Sequence, residues 1–317
     1  MFVDELLSRR LIVLSGKGGV GKSVVGGALA LAARRRGRRV LLVEIDAPLT
    51  ATRYLGGAPA DHEPVEAVPG VWTVNLRPPR VMDEYVRETV RIDLLVRRIL
   101  ESPVYHRFFS AAPGLAELMV LGKIMVLEED RVGFPRRPRW DHVIVDLPAT
   151  GHGLAFLKVP LAASRAVPVG PVGHNARRIL SLVRDPRRTA LVVVAIPEEM
   201  AVVEALELRA AMEAELGVSP VGLVLNGCHE RRFTAAEEDE VQRLSTEGAA
   251  GRLPEGGSLA AALAAARREI RRRKRAHHYL KRLRAEAAEP VVTLPFLFDE
   301  VIGKDALQQL ADRLEAA

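Results

Sequence analysis

The eight residues Gly16-Lys17-Gly18-Gly19-Val20-Gly21-Lys22-Ser23 constrain this chain more than any other stretch. They follow a short apolar run, Leu11–Leu14, and open an alanine-rich segment with helical spacing, Ser23–Arg36. Glycine at this density accepts backbone angles closed to other residues and keeps side chains out of the way. Successive N–H groups in such a turn converge on one point, and the helix that follows adds the positive end of its dipole. That geometry holds phosphate. The spacing G-x-x-x-x-G-K-[ST] adds Lys22, whose ammonium reaches the β- and γ-phosphates, and Ser23, whose hydroxyl suits Mg²⁺. Gly16, Gly18, Gly19, Val20, Gly21, Lys22 and Ser23 are therefore the candidate residues for holding ATP. The alternative, a glycine-rich turn without a ligand, leaves the strand before and the helix after without a reason.

The same strand–loop–helix logic organises the rest. Arg39–Ile45 is a second apolar run, and the continuous apolar stretch Val40–Val43 within it asks for burial on both faces of a parallel sheet. Further strands are expected at His142–Asp146, Ala190–Ile196, Val221–Asn226 and Val291–Leu294, and helices at Glu199–Leu216, Ala235–Leu244, Leu259–Ala287 and Lys304–Glu315. Between Pro48 and Arg139 the pattern changes to one strand, Val71–Leu76, and helices at Val81–Leu100, Pro103–Ser110 and Leu115–Glu129. Gly248–Gly257 reads as a loop. The expectation is an α/β fold over residues 1–317: a doubly wound, mostly parallel sheet of the P-loop NTPase kind, with a helical insertion subdomain at 78–132.

Two carboxylates end apolar strands. Asp46 closes Glu44-Ile45-Asp46, at the end of a sheet where ligands bind. There it can orient an attacking water or accept its proton, although a turn or cap would also use an aspartate. Asp146 closes Trp140–Val145 and reads as the Walker B carboxylate that holds Mg²⁺, directly or through water.

Lys17 is a second lysine inside the loop and has no task in an ordinary phosphate cradle. The form K-G-G-V-G-K-[ST] resembles the deviant Walker A signature of the group that includes MinD, ParA, nitrogenase iron protein and the arsenite-pump ATPase ArsA. Asp146-Leu147-Pro148-Ala149-Thr150-Gly151-His152-Gly153-Leu154 narrows the likeness. It resembles the D-T-A-P-T-G-H-x-L signature of the ArsA and guided-entry (tail-anchored protein targeting) ATPases. Asp46-Ala47-Pro48 resembles that family's D-P-A segment with two residues exchanged, and Pro113–Leu118 its P-G-x-x-E element. The resemblance implies that Lys17 reaches across a dimer interface to the partner's nucleotide, as an arginine finger does. It also implies that Asn226 contacts adenine and that Leu294-Pro295-Phe296 closes over the base. Lys17, Asp46 and Lys22 are thus the candidate catalytic residues. Ser23 and Asp146 are the candidate metal ligands; Asn226, Pro295 and Phe296 are further cofactor contacts. His152 reads as a brace of its loop.

The departures from the family narrow the activity. One cysteine, Cys228, excludes a disulfide framework, a cysteine-built zinc site, a soft-metalloid site and an iron–sulfur cluster. One P-loop means that a second subunit must supply the second half of a dimer. Leu49–Thr52 lacks the family's A-H-N-L-S-D run. Met1–Arg10 carries acids and no apolar core, unlike a signal peptide, and no apolar run approaches the roughly 20 residues that span a bilayer, so a cytoplasmic location is expected.

The formal net charge is +6, with arginines clustered at Arg34–Arg39, Arg136–Arg139 and Arg267–Arg284. A solvated surface accounts for such runs, and an anionic partner is the alternative. The scarcity of aromatics in Arg267–Arg284 speaks against nucleic acid. Met82, Met119 and Met125, with Phe108, Phe109 and Leu118, fit either the insertion's own core or a groove for an apolar client. The resulting expectation is an ATP- and Mg²⁺-dependent ATPase switch. It would act as a homodimer or with a paralogous ATPase, handle a protein client, and leave a transient membrane association open. The rival readings are a ParA- or MinD-like positioning ATPase on DNA or membrane, and a low-turnover nucleotide-binding half of a heterodimer.

Overall fold

Strands without polar alternation need cover on both faces, and the chain supplies it in order. The computed structural model describes residues 2–47, 50–90, 92–105, 107, 112–148, 153–249 and 258–317. It opens with α1 (Phe2–Leu7), β1 (Leu11–Ser15), α2 (Lys22–Arg35), β2 (Val40–Ile45) and α3 (Thr50–Leu55). Next come β3 (Val65–Val68), β4 (Val71–Leu76), α4 (Pro78–Val90), α5 (Asp93–Leu100) and α6 (Leu115–Glu129). A small hairpin, β5 (Arg131–Val132) and β6 (Arg137–Pro138), leads to β7 (His142–Asp146), α7 (Gly153–Ala166) and α8 (Gly170–Arg184). The last third holds β8 (Thr189–Ala195), α9 (Glu199–Ala211) with a π-turn extension at Met212–Leu216, and β9 (Gly222–Cys228). It closes with α10 (Ala235–Ala249), α11 (Ser258–Glu286), β10 (Val291–Pro295) and α12 (Lys304–Ala316).

Eight strands form one sheet in the order β10-β9-β8-β1-β7-β2-β4-β3, parallel throughout except for the β3–β4 pair. The fold is thus a doubly wound α/β sheet. Strand β1 has β7 on one side and β8 on the other, and the two halves of the sheet grow outward from it. Its carboxyl end is therefore the switch point at which such sheets bind ligands. On one face Ile12, Leu14, Leu42, Ile144 and Val194 pack with α1, α2, α3 and α12. On the other Val13, Leu41, Val143, Val145 and Val193 pack with α6, α7, α8 and α9.

Several elements differ from expectation. Val81–Leu100 is two helices, because Ile92 is extended and Asp93 starts a new first turn, where a carboxylate suits the helix dipole. Of Pro103–Ser110, residues 103–105 and 107 are helical and the rest lie outside the described residues. The expected pattern lacks helices α7 and α8, whose stretch holds Pro160, Pro168 and Pro171. Pro160 sits inside α7, and Pro171 takes the second position of α8, where the missing N–H is no loss. Val71–Leu76 is a full parallel member of the main sheet beside β2. Helix α6 lies on the sheet, with Leu118 and Met125 buried against it. Met82 is also buried and Met119 partly so, while Phe108 and Phe109 lie outside the described residues.

Candidate functional site

Residues 16–21 turn from the end of β1 into α2, and the turn depends on glycine at three positive-φ positions, Gly16, Gly19 and Gly21. Two of these are also closed by neighbours. A Cβ on Gly16 would lie 2.2 Å from the Val194 carbonyl oxygen, and one on Gly21 would lie 2.3 Å from the Asn226 amide nitrogen. Gly18 and Gly19 are exposed, so the cradle opens to solvent there, while Val20 is anchored in the core beneath it. Lys22 is the first residue of α2 and is buried. Its Nζ donates to the carbonyls of Gly16 at 3.0 Å and Lys17 at 3.1 Å, which holds the ammonium inside the loop. Desolvation lowers its pKa from the ordinary lysine value, opposed by the charge of Asp146.

The Ser23 hydroxyl donates to Oδ2 of Asp146, so two residues 123 apart in sequence meet at the head of α2. Parallel register makes this contact: Leu14 of β1 sits level with Asp146 of β7. Asp146 is buried, and its Oδ1 has no hydrogen-bond donor among the described residues. Burial raises its pKa above the usual carboxylate value, against the hydrogen bond from Ser23 and the charge of Lys22. A buried acceptor with a free oxygen beside a hydroxyl is an arrangement that a hard, oxygen-seeking cation completes. The rest of the Asp146–Leu154 signature is only partly visible, since Ala149, Thr150, Gly151 and His152 lie outside the described residues.

Asp46 lies two residues beyond Glu44, which pairs in register with Asp146, so its place is past the end of the sheet. It is exposed and is the one non-glycine residue with positive φ, 46°, among the described residues. Asp is among the few non-glycine residues that enter that region readily. Two residues absent from the sequence reading hold this backbone. Asn75 of β4 grips Ala47, donating to its carbonyl at 2.7 Å and accepting from its N–H at 3.2 Å. Glu44, fully buried in β2, accepts from the Ala51 N–H at 2.9 Å and so ties the start of α3 to the strand. A polar residue inside an apolar strand was the available signal for both.

Lys17 points away from the loop interior. Its Nζ pairs with Oε1 of Glu204 on α9 at 2.5 Å, and both side chains are partly exposed. Asn226, near the end of β9, donates from Nδ2 to the Val20 carbonyl at 3.0 Å, so it braces the loop from the β8–β9 side. Pro295 ends β10, and the Phe296 N–H donates to the Cys228 carbonyl at 2.9 Å. Phe296 is partly exposed and stacks on His229, with centroids 4.6 Å apart; Phe298 meets both edge-on. His229 is in turn held by Glu269 of α11 at 2.8 Å. The structure thus gathers Gly16–Ser23, Asp146 and Asn226 into contact. Nothing in the sequence pattern around Glu204 or His229 marks them, because each acts only through a contact distant in sequence.

The profile of the anion-transporting ATPase family, ArsA, matches residues 9–169, just over half of the chain. The chain belongs to this family. The match takes in the phosphate loop, Asp46 and Asp146, and the ArsA-type chain continues beyond it through β8, β9, α11 and β10. Among relatives of the ArsA-type chain, ATPase BagA of Mycobacterium tuberculosis is 28% identical over 224 residues, which is 68% of this chain and 65% of that protein. An arsenical pump-driving ATPase of Escherichia coli is 28% identical over 316 residues, 98% of this chain and 45% of that one. ATPase GET3B of Arabidopsis thaliana is 23% identical over 266 residues, 67% of this chain and 63% of that one. The chain therefore spans less than two thirds of the length of these relatives. No helix among the described residues is long and apolar enough to cross a membrane.

Proposed function

We propose that the protein binds Mg-ATP at Gly16–Ser23 and hydrolyses it as a dimeric switch. The observation that carries this reading is the Ser23–Asp146 contact under a buried Lys22, with one Asp146 oxygen left without a donor among the described residues. The residues fit the group: the glycine turn takes the phosphates, Lys22 their charge, and Ser23 with Asp146 a magnesium ion. Bound Mg²⁺ would neutralise charge on the phosphoryl oxygens. On the protein's side, Lys22 gives up two carbonyl acceptors for phosphate oxygens, so the loop needs little rearrangement. Asp46, exposed on a positive-φ backbone clamped by Asn75, is the group that would orient or deprotonate water. Asn226 and Phe296 flank the end of the loop where the base would lie.

The relatives named as ATPases support hydrolysis, and a cross-interface role of Lys17 accords with its position. Its half-exposed ion pair with Glu204 is of the kind worth at most about 1 kcal/mol, so release is easy. Segment 78–132 is proposed as the insertion that answers the nucleotide and meets a client. A soft-metalloid site needs several thiolates, and the chain's single cysteine, Cys228, favours a protein client over an arsenical one. Lys22→Ala tests the assignment by calorimetry and phosphate release. A loss of ATP affinity with the fold intact by circular dichroism is expected. Unchanged affinity would remove the phosphate-loop assignment.

A further inference from the structure

Between β9 and β10 the chain leaves the sheet as a helical hairpin, α10 and α11, which reaches the candidate site only through Glu269 on His229. Helix α11 is 29 residues long, yet only Ile270, Ala276 and Leu283 of it are buried. On the side away from Ala276 and Leu283, with Ile270 at its margin, Arg267, Arg271, Lys274, Arg275, His278 and Lys281 are exposed on one arc of the helix. At 1.5 Å per residue the arc from Arg267 to Lys281 is about 21 Å long. Acids answer few of these charges. Glu238 of α10 pairs with Arg273 and reaches Lys274, and Glu269 is taken by His229. Arg267, Arg271, Arg275 and Lys281 have no ion pair among the described residues. Arginine that serves only its own fold usually finds a carboxylate, as Arg35, Arg188, Arg209 and Arg243 do here.

The other half of α11 is different in kind. Ser258–Ala266 carries no charge, and most of it is exposed, including Leu259 at 48%. One helix thus runs from a small apolar end into a polycationic stretch whose arc holds one ring, His278, and no Phe, Tyr or Trp. A nucleic acid would use the cations but has no use for the apolar end, and it would favour rings on which to stack bases. The surface of an anionic bilayer uses both: headgroup charge attracts the basic arc, and the apolar end enters the headgroup–acyl boundary. We propose that α11 is a docking surface for an anionic phospholipid leaflet, lying along the membrane plane. The proposal does not depend on ATP turnover, since α11 carries no residue of the phosphate cradle.

The test is co-sedimentation of the full chain with vesicles of phosphatidylcholine alone or with about a third phosphatidylserine. Binding to the anionic vesicles only, weakening as salt rises, is expected. Each cation near such a surface contributes about fivefold in partitioning, so Arg267→Ala, Arg271→Ala and Arg275→Ala together should lower it roughly a hundredfold. Alanine favours helix, and an unchanged circular dichroism spectrum and ATP affinity separate this loss from misfolding. Leu259→Ser should weaken vesicle binding several-fold while leaving any affinity for a 30-base-pair duplex DNA untouched. Equal binding of wild type and triple variant would overturn the proposal. So would tight DNA binding by a protein that ignores anionic vesicles.

Discussion

Gly21→Ala isolates what the loop owes to its neighbour. Gly21 sits at φ 87°, and Gly19 at 82°. A left-handed conformation costs an alanine about 1–2 kcal/mol, so both substitutions carry that cost. They differ in surroundings: nothing lies within 4 Å of a Cβ on Gly19, whereas one on Gly21 would meet the Asn226 amide nitrogen at 2.3 Å. The amide must turn away, and its 3.0 Å bond to the Val20 carbonyl is lost. That bond is worth about 1 kcal/mol. Gly19→Ala should therefore destabilise by about 1–2 kcal/mol, and Gly21→Ala by about 2–3 kcal/mol. In an Asn226→Ala background the clash is gone, and Gly21→Ala should cost no more than Gly19→Ala. The coupling, about 1 kcal/mol, is read from urea unfolding of the four proteins of the cycle. Additive costs would refute the packing of Asn226 on Gly21. In parallel, ATP affinity should fall more for Gly21→Ala than for Asn226→Ala, because only the former bends the loop itself.

Three further outcomes are expected. Asp146 has its pKa raised by burial, so the folded protein binds a proton more tightly than the unfolded chain; stability falls as pH rises from the ordinary value of 3.8 through the raised one. Asp146→Asn should thus raise the melting temperature of the ligand-free protein at pH 7, with the gain shrinking toward pH 4, and should abolish Mg²⁺-dependent tightening of ATP. Lys17→Ala and Asp46→Asn should each be nearly inactive, a finger of this type being worth about 10³–10⁵ in rate. Mixing them with subunit exchange should return roughly a quarter of wild-type activity if Lys17 acts across the interface, and none if it acts within its own chain. The Cys228 thiol is pushed up to about 12 by burial from an ordinary 9.0, so alkylation by iodoacetamide at pH 8 should be at least about tenfold slower in the native protein than in urea.

The amino-acid sequence by itself determined what is written in contiguous residues. The loop Gly16–Ser23 states its chemistry in glycine spacing, and β1, β2 and β7 announce themselves by apolar runs, Leu11–Leu14, Val40–Val43 and Val143–Val145. Their parallel packing follows, because strands buried on both faces tolerate little else. What only the tertiary structure decided are the meetings of residues far apart, which leave no local period. Ser23 finds Asp146, Asn226 fills the space above Gly21, Lys17 rests on Glu204, and Glu269 steers His229 under Phe296. The same holds for α6, whose sequence reads as part of a helical insertion but whose buried Leu118, Ile124 and Met125 cover the sheet. A helix pattern reports which face is apolar, not which neighbour hides it; that choice belongs to the folded chain, where the order of strands decides what lies beneath.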